Sequence, residues 1–426
     1  DGVEAFSAAF ASLLDSVDQE RRASLAGDME VKSSLGEHEA AVSAALQSLA
    51  ADDAIERIWA RDHTVWKPDP DEISNRLGWL EIADEMLGNV GRLNAFVDSV
   101  RAAGYTDVVL LGMGGSSLAP EVFSEVFGTT DGYLDLTVVD STDPGAILEA
   151  GQDLELRKTL FIVATKSGGT AETLSFFKYF YNKVAEELGQ SNVGQHFVAI
   201  TDPGSKLEQL AGQYGFRDIF LNNPNIGGRY SALSYFGLLP AALIGVDLPR
   251  LLDQARIAAC SAGGAGCAAG GNNVAAILGA AIGELALNGV DKLTLITSPA
   301  LTSFGDWAEQ LIAESTGKEG KGILPVVGEK PGAPDQYGPD RLFVALTLEG
   351  DDTYAAELDA LEKAGHPLIR LTQADLYELG RQFFLWELAT AIAGARLGIQ
   401  PFDQPNVEDA KVQARQMIAS YQESGS

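Results

Sequence analysis

Cysteine is nearly absent: the 426-residue chain has two, Cys260 and Cys267, in a Gly/Ala-rich segment. Their spacing fits no zinc pattern, and two thiols in a chain this long suit a reducing, cytoplasmic setting. Histidine is almost as scarce. His38, His63, His196 and His366 form no Ser/His/Asp arrangement and no metal-ligand spacing, so the sequence offers no basis for a metal or other cofactor. No apolar run approaches the ~20 residues of a membrane span. No charged segment followed by an apolar stretch marks a secretory leader at the N-terminus. Positive charge is short as well: 30 Lys and Arg stand against 60 Asp and Glu, a formal net charge of −30. Such a surface repels nucleic acid and anionic membranes, which argues against both as partners. It also repels an anionic metabolite at long range. Binding one takes a local cluster of cations and N–H donors, so the few Lys and Arg inside motifs gain weight.

What is present is a globular composition, 46% hydrophobic and 21% charged, on a chain long enough for two domains. The most informative stretch is Phe161-Ile-Val-Ala-Thr-Lys-Ser-Gly-Gly-Thr-Ala-Glu-Thr173. Phe161 to Ala164 reads as a buried parallel strand. Thr165 to Thr170 supplies hydroxyls, Lys166 and two glycines where the chain turns, and Leu174, Phe177, Phe180, Tyr181 and Val184 then follow a helical period. Strand, polar Gly-rich turn and helix together aim backbone N–H groups and the positive helix end at an anion. The hydroxyls and the cation suit a phosphate, which offers three acceptor oxygens.

A second loop of this kind lies upstream. Val108 to Leu111 predicts a strand that runs into Gly112-Met-Gly-Gly-Ser-Ser117, with a helix beginning near Pro120. As a dinucleotide fingerprint this is incomplete: Ser117 holds the third glycine position, and the nearest strand-end acid, Asp140, comes late. Further strands are expected at Leu136–Val139, Phe197–Thr201 and Ile219–Leu221, then at Leu293–Thr297, Ile323–Val327, Leu342–Leu346 and Pro367–Leu371. Alternation with helices predicts doubly wound parallel sheets in two α/β units, with helical extensions at both ends. Residues 1–20 predict an amphipathic helix, 21–36 a linker, 375–397 and 406–421 the closing helices.

Three positions break their local patterns. Lys411 falls on an apolar stripe with Val407, Ala414 and Ile418, which is costly unless the cation is paired or functional. Gln310 and Glu314 lie four apart on a helix with Trp307 and Leu311, and an apolar setting raises a carboxylate towards the range of a general base. Arg229 follows two glycines at an expected helix start, where a cation opposes the helix dipole, so an anion or a polarised oxygen is expected nearby. Lone structural roles are open for each: a snorkelling lysine, an exposed helix-end acid, a paired arginine.

Five segments in order resemble the glucose-6-phosphate isomerase family, built from two sugar-isomerase (SIS-type) α/β/α sandwich domains. They are Gly112–Pro120, Thr165–Thr173, Gly227–Leu238, Gln310–Gly317 and Phe402–Lys411. The resemblance covers roughly 55–420 of the chain and implies a first domain at 41–240 and a second at 241–426. The leader 1–40 begins with a helix similar to the closing helix of transaldolase, which implies a fragment of a fused transaldolase and isomerase.

On this resemblance Gly115, Ser116, Thr165, Lys166, Ser167, Thr170 and Thr173 hold the phosphate of a sugar 6-phosphate. Glu314 matches the base that moves a proton between C2 and C1, Arg229 the group that stabilises the resulting charge, and Lys411 a residue assisting ring opening. Gln310 and Gln404 match positions that orient sugar hydroxyls. The resemblance also implies a homodimer. The departure is the family's ring-opening histidine: Pro331–Arg341 contains none, and His366 lies outside the motif. Three other functions compete: an isomerase that also takes mannose 6-phosphate, a non-catalytic phosphosugar-binding module, and a nicotinamide dehydrogenase. The joint presence of Arg229, Gln310, Glu314 and Lys411 favours catalysis over mere binding.

Overall fold

A computed structural model describes residues 29–152, 154–263 and 273–424, without the side chains of Glu30 and of 405–411. The helix expected over 1–20, and with it the transaldolase likeness, lies outside the described residues. Two five-stranded sheets organise the rest. Strands β1 (Glu30–Ser34), β2 (Asp107–Leu111), β3 (Asp135–Val139), β4 (Thr159–Ala164), β5 (Phe197–Thr201) and β6 (Asp218–Leu221) are followed by β7 (Lys292–Thr297), β8 (Leu324–Val326), β9 (Arg341–Leu348) and β10 (Leu368–Gln373). The first sheet has the order β3-β2-β4-β5-β6 and is parallel throughout. The second has the order β1-β10-β9-β7-β8. Its last four strands in sequence repeat the order of the first four in the other sheet.

The fifth position is where the units differ. In the second sheet it is filled by β1, antiparallel to β10 with Lys32 opposite Arg370. The polar stretch expected as linker is therefore partly a strand. Val31 alone supplies apolar character there, and an edge strand needs little, because one side of its ladder faces solvent.

Alternation along each central strand gives it two buried faces. Val108 and Leu110 of β2, with Leu160, Ile162 and Ala164 of β4, face a core that continues to the second sheet. Val109, Leu111, Phe161 and Val163 face the helix Ala171–Leu188 through Phe176, Phe177 and Phe180. Strands buried on both sides must be apolar without interruption, which is why short unbroken runs identified them. Between the sheets lie the apolar helices Tyr235–Leu243, Val274–Leu287 and Leu379–Leu397, the last buried over nearly its whole length.

Two local readings change. The apolar helix expected from Gly227 begins only at Tyr235, capped by the Ser234 hydroxyl, and Gly228–Tyr230 is a single 3-10 turn. Cys260 is disulfide-bonded rather than a free thiol. The closing helix spans Pro405–Ser424, and from Val412 onward its side chains are exposed, Ile418 included. Among the described residues no helix is long and apolar enough to cross a membrane.

Candidate active site

In the first sheet β3 lies on one side of β2 and β4 on the other, so the winding direction reverses between β2 and β4. A crevice opens at the carboxyl ends of strands where that happens. The two loops singled out above leave from those ends, Gly112–Ser117 from β2 and Thr165–Thr170 from β4, one strand spacing apart.

The second loop is held from beneath. The Thr165 and Thr170 hydroxyls are 2.8 Å apart. Thr201 at the end of β5 donates to the Thr165 carbonyl at 2.8 Å, and the Ser167 hydroxyl accepts from Gly169 N–H at 3.2 Å. Gly168 has φ +68°, and a Cβ there would lie 2.2 Å from Leu207 N, so glycine is required on both counts. Lys166 pairs with Asp202 and donates to the Pro224 carbonyl at 2.9 Å. Burial pushes the Asp202 carboxyl up, with Lys166 opposing. Thr173 is fully buried and its hydroxyl has no partner among the described residues.

The Gly112–Ser117 loop meets the parts that carry Arg229 and Gln310. Gly115 abuts the Gly228 backbone, and Ser231 donates to the Gly115 carbonyl at 3.2 Å. Gly114 meets the Gln310 amide: a Cβ there would lie 2.8 Å from Nε2. Ser116 closes the 3-10 turn Gly114–Ser116. Ser117 donates to Asp140 at 3.4 Å, so this acid, a poor match for a ribose ligand, braces the loop instead.

Arg229, 86 positions before Ser315, donates Nε to its hydroxyl at 3.1 Å. Its Nη2 donates to the carbonyls of Pro401 at 2.8 Å and Asp403 at 3.2 Å. That leaves Nη1, which lies 2.9 Å from Glu314 Oε1. The other carboxylate oxygen of Glu314 accepts from Gln310 Nε2 at 3.2 Å. Glu314 thus sees a guanidinium and an amide besides the apolar wall of Trp307 and Leu311 expected from its helix. Its side chain remains 22% exposed while that of Arg229 is 1% exposed, so the acid is the reachable member of the pair. It opens on a cleft of about 420 Å³ that Gln310, Ala313 and Leu118 also line.

Lys318 is a member the sequence reading passed over. It donates to the carbonyls of Gln400 at 2.9 Å and Asp403 at 2.8 Å and pairs with the Asp403 carboxylate. Burial pulls its ammonium pKa down, with Asp403 opposing. Lys318 and Arg229 together fasten the segment Pro401–Gln404, on which Gln404 is exposed. The signal was available: Lys318 stands in the Ser315-Thr-Gly-Lys run directly after the helix that carries Gln310 and Glu314. Lys411 sits on the helix Pro405–Ser424, its side chain outside the described residues. His366 bonds the Pro334 carbonyl at 3.0 Å at the amino end of β10, away from the strand ends that bear the site. Among the described residues no group of His, Cys, Asp and Glu side chains is placed to hold a metal.

Comparison with known proteins bears on the same segments. The family model for phosphoglucose isomerase matches residues 85–320. A glucose-6-phosphate isomerase of Rubrobacter xylanophilus is 31% identical over 74% of this chain and 83% of its own. One from Prochlorococcus marinus is 30% identical over 84% of this chain and 74% of its own. Among solved structures, a hypothetical protein from Thermus thermophilus superposes with TM-score 0.75 at 25% identity, covering 92% of this chain and all of that one. A glucose-6-phosphate isomerase from Chlamydia trachomatis shares the fold, with TM-score 0.73 at 20% identity over 90% of this chain and 86% of that one. The chain belongs to the phosphoglucose isomerase family.

Proposed function

We propose that the chain interconverts glucose 6-phosphate and fructose 6-phosphate by proton transfer between C2 and C1 of the open-chain sugar. One observation carries the residue assignment: Glu314, partly exposed, is held by Arg229 and Gln310, and the Gln310 amide meets Gly114. Glu314 takes the C2 proton of the aldose and returns it to C1, while the O2 hydroxyl proton passes to O1 of the enediolate. In between, negative charge develops on the enediolate oxygens, and the buried Arg229 guanidinium stabilises it from a position its backbone partners fix in advance. The phosphate sits on Gly115, Ser116, Thr165, Lys166, Ser167 and Thr170, with Thr173 buried behind them, so binding energy from the remote end holds C1 and C2 for the base. Gln310 and Gln404 orient hydroxyls, and Lys411 assists ring opening.

The finer readings extend this. A cytoplasmic homodimer is the reading the family likeness supports, and fusion to a transaldolase the one that the likeness of residues 1–20 supports. The decisive experiment is a coupled assay with fructose 6-phosphate on the parent chain and Glu314→Gln. Turnover is expected in the parent, with a loss of at least about 100-fold in the variant, the range a general base contributes. Equal rates would remove Glu314 as the base.

A further inference from the structure

Asp202 has no part in that mechanism, yet the end of β5 grips Lys166 by side chain and main chain together. The Asp202 carboxylate pairs with the Lys166 ammonium. Its main-chain N–H donates to the Lys166 carbonyl at 3.1 Å, and the Thr201 hydroxyl lies 3.1 Å from the same carbonyl. The ammonium also donates at 2.9 Å to the carbonyl of Pro224, just past the end of β6. Lys166, at the end of β4, is thus held from the ends of the next two strands of the sheet.

The unused bonding capacity of this pair shows what the grip serves. An ammonium has three N–H donors. Among the described residues Lys166 spends one on Asp202 and one on Pro224, and keeps the third. Its side chain is 28% exposed against 15% for Asp202, so the lysine is the member that a ligand can reach. The second Asp202 oxygen, Oδ1, is buried without a hydrogen-bond partner among the described residues. A buried unpaired oxygen costs stability, which sets this pair apart from a plain fastening between loops.

A lysine has a flexible four-carbon stem, and a ligand that fixes it forfeits that rotamer freedom. Where the protein has fixed the stem beforehand, little is forfeited and the difference appears as affinity. We propose that Asp202 is a positioning residue: with the Pro224 carbonyl it fixes the Lys166 ammonium ahead of binding, so that the third N–H meets a phosphate oxygen of the substrate. Placement counts for more in a chain of net charge −30, where Lys166 is the one cation within Thr165–Thr170.

The inference rests on the reading of the Thr165–Thr170 turn as the phosphate anchor. Asp202→Ala frees the ammonium, whereas Asp202→Asn leaves it an acceptor. Asp202→Ala is expected to raise KM for fructose 6-phosphate about tenfold, with kcat within about twofold. The inhibition constant of inorganic phosphate should rise alongside KM. Asp202→Asn should stay within about threefold of the parent in both. On a Lys166→Met background Asp202→Ala should add less than about twofold, because its effect runs through a cation that is no longer there. Asp202→Ser, also too short to reach the ammonium, carries the same expectations should Asp202→Ala not fold. Parental KM in the truncated variant overturns the proposal. So does a rise that recurs in full on the Lys166→Met background, that Asp202→Asn shares, or that inorganic phosphate does not follow. Lys166→Met alone separates the two levels. Parental KM and phosphate inhibition in that variant remove the anchor reading, whereas a weakened Lys166→Met beside a parental Asp202→Ala removes only this inference.

Discussion

Gly115 lies so close to Gly228 that a Cβ on it would come within 2.1 Å of the Gly228 carbonyl oxygen and 2.4 Å of the carbonyl carbon. Both atoms belong to main chain, so no side-chain rotation relieves the clash. This contact locks the loop that follows β2 to the turn that carries Arg229.

Gly115→Ala therefore has to push the loop and the turn apart. The expected cost is about 1–3 kcal/mol of stability, as for other overpacked sites, together with at least a tenfold fall in kcat as Arg229 leaves Glu314. Urea unfolding and the coupled assay measure the two. A variant with parental values in both would show that this approach has no part in aligning the site.

Lys166→Met removes the cation of the Thr165–Thr170 turn. If the phosphate is anchored there, KM for fructose 6-phosphate should rise about 10- to 100-fold, the loss of one charge-assisted hydrogen bond, with kcat within about threefold. Thr170→Val should act in the same direction and more weakly. A fall in kcat at unchanged KM would place Lys166 in the chemistry instead.

Lys318→Met leaves the Asp403 carboxylate and the carbonyls of Gln400 and Asp403 without their donor. About 1–3 kcal/mol of stability should be lost, and kcat should drop because Arg229 donates to the same Asp403 carbonyl. Retained kcat with lowered stability would confine Lys318 to fastening the segment.

Glu387 also predicts a dependence of stability on pH. Burial raises its pKa well above the ordinary 4.5, so above that value the folded chain holds a proton that the unfolded chain has lost. The contribution is fully present below the ordinary value and is lost as pH rises towards the folded pKa. Relative to Glu387→Gln, the parent's unfolding free energy should fall by about 1.4 kcal/mol per pH unit from about pH 5 upward. A difference that stays level with pH would mean that Glu387 ionises alike in both states.

The central strands, both phosphate-type loops and the helix carrying Gln310 and Glu314 were legible because each is written in a short window. Unbroken apolar runs such as Phe161–Ala164 announce strands buried on two faces, and glycines with hydroxyls announce the turns between them. Edge strand β1 was not legible: half its ladder faces solvent, so Glu30–Ser34 needs no apolar pattern and reads as linker. The Gly227 segment misled for a related reason. An apolar run up to Leu243 looks like one helix, but Ser234 caps it and leaves Arg229 on a separate turn. Arg229 was singled out as a cation at a helix start; its place follows instead from Ser315, Pro401, Asp403 and Glu314.

By itself the sequence determined the α/β alternation, the residue types at the two loops and the candidate acid, because propensity and periodicity act over a few neighbouring residues. Tertiary structure alone decided that Arg229 meets Glu314, that Gly115 seats against Gly228, and that Glu387 is buried. Those pairings join segments tens to well over a hundred positions apart. Sheet order and core packing bring them together, and no local pattern of side chains records which distant backbone each will meet.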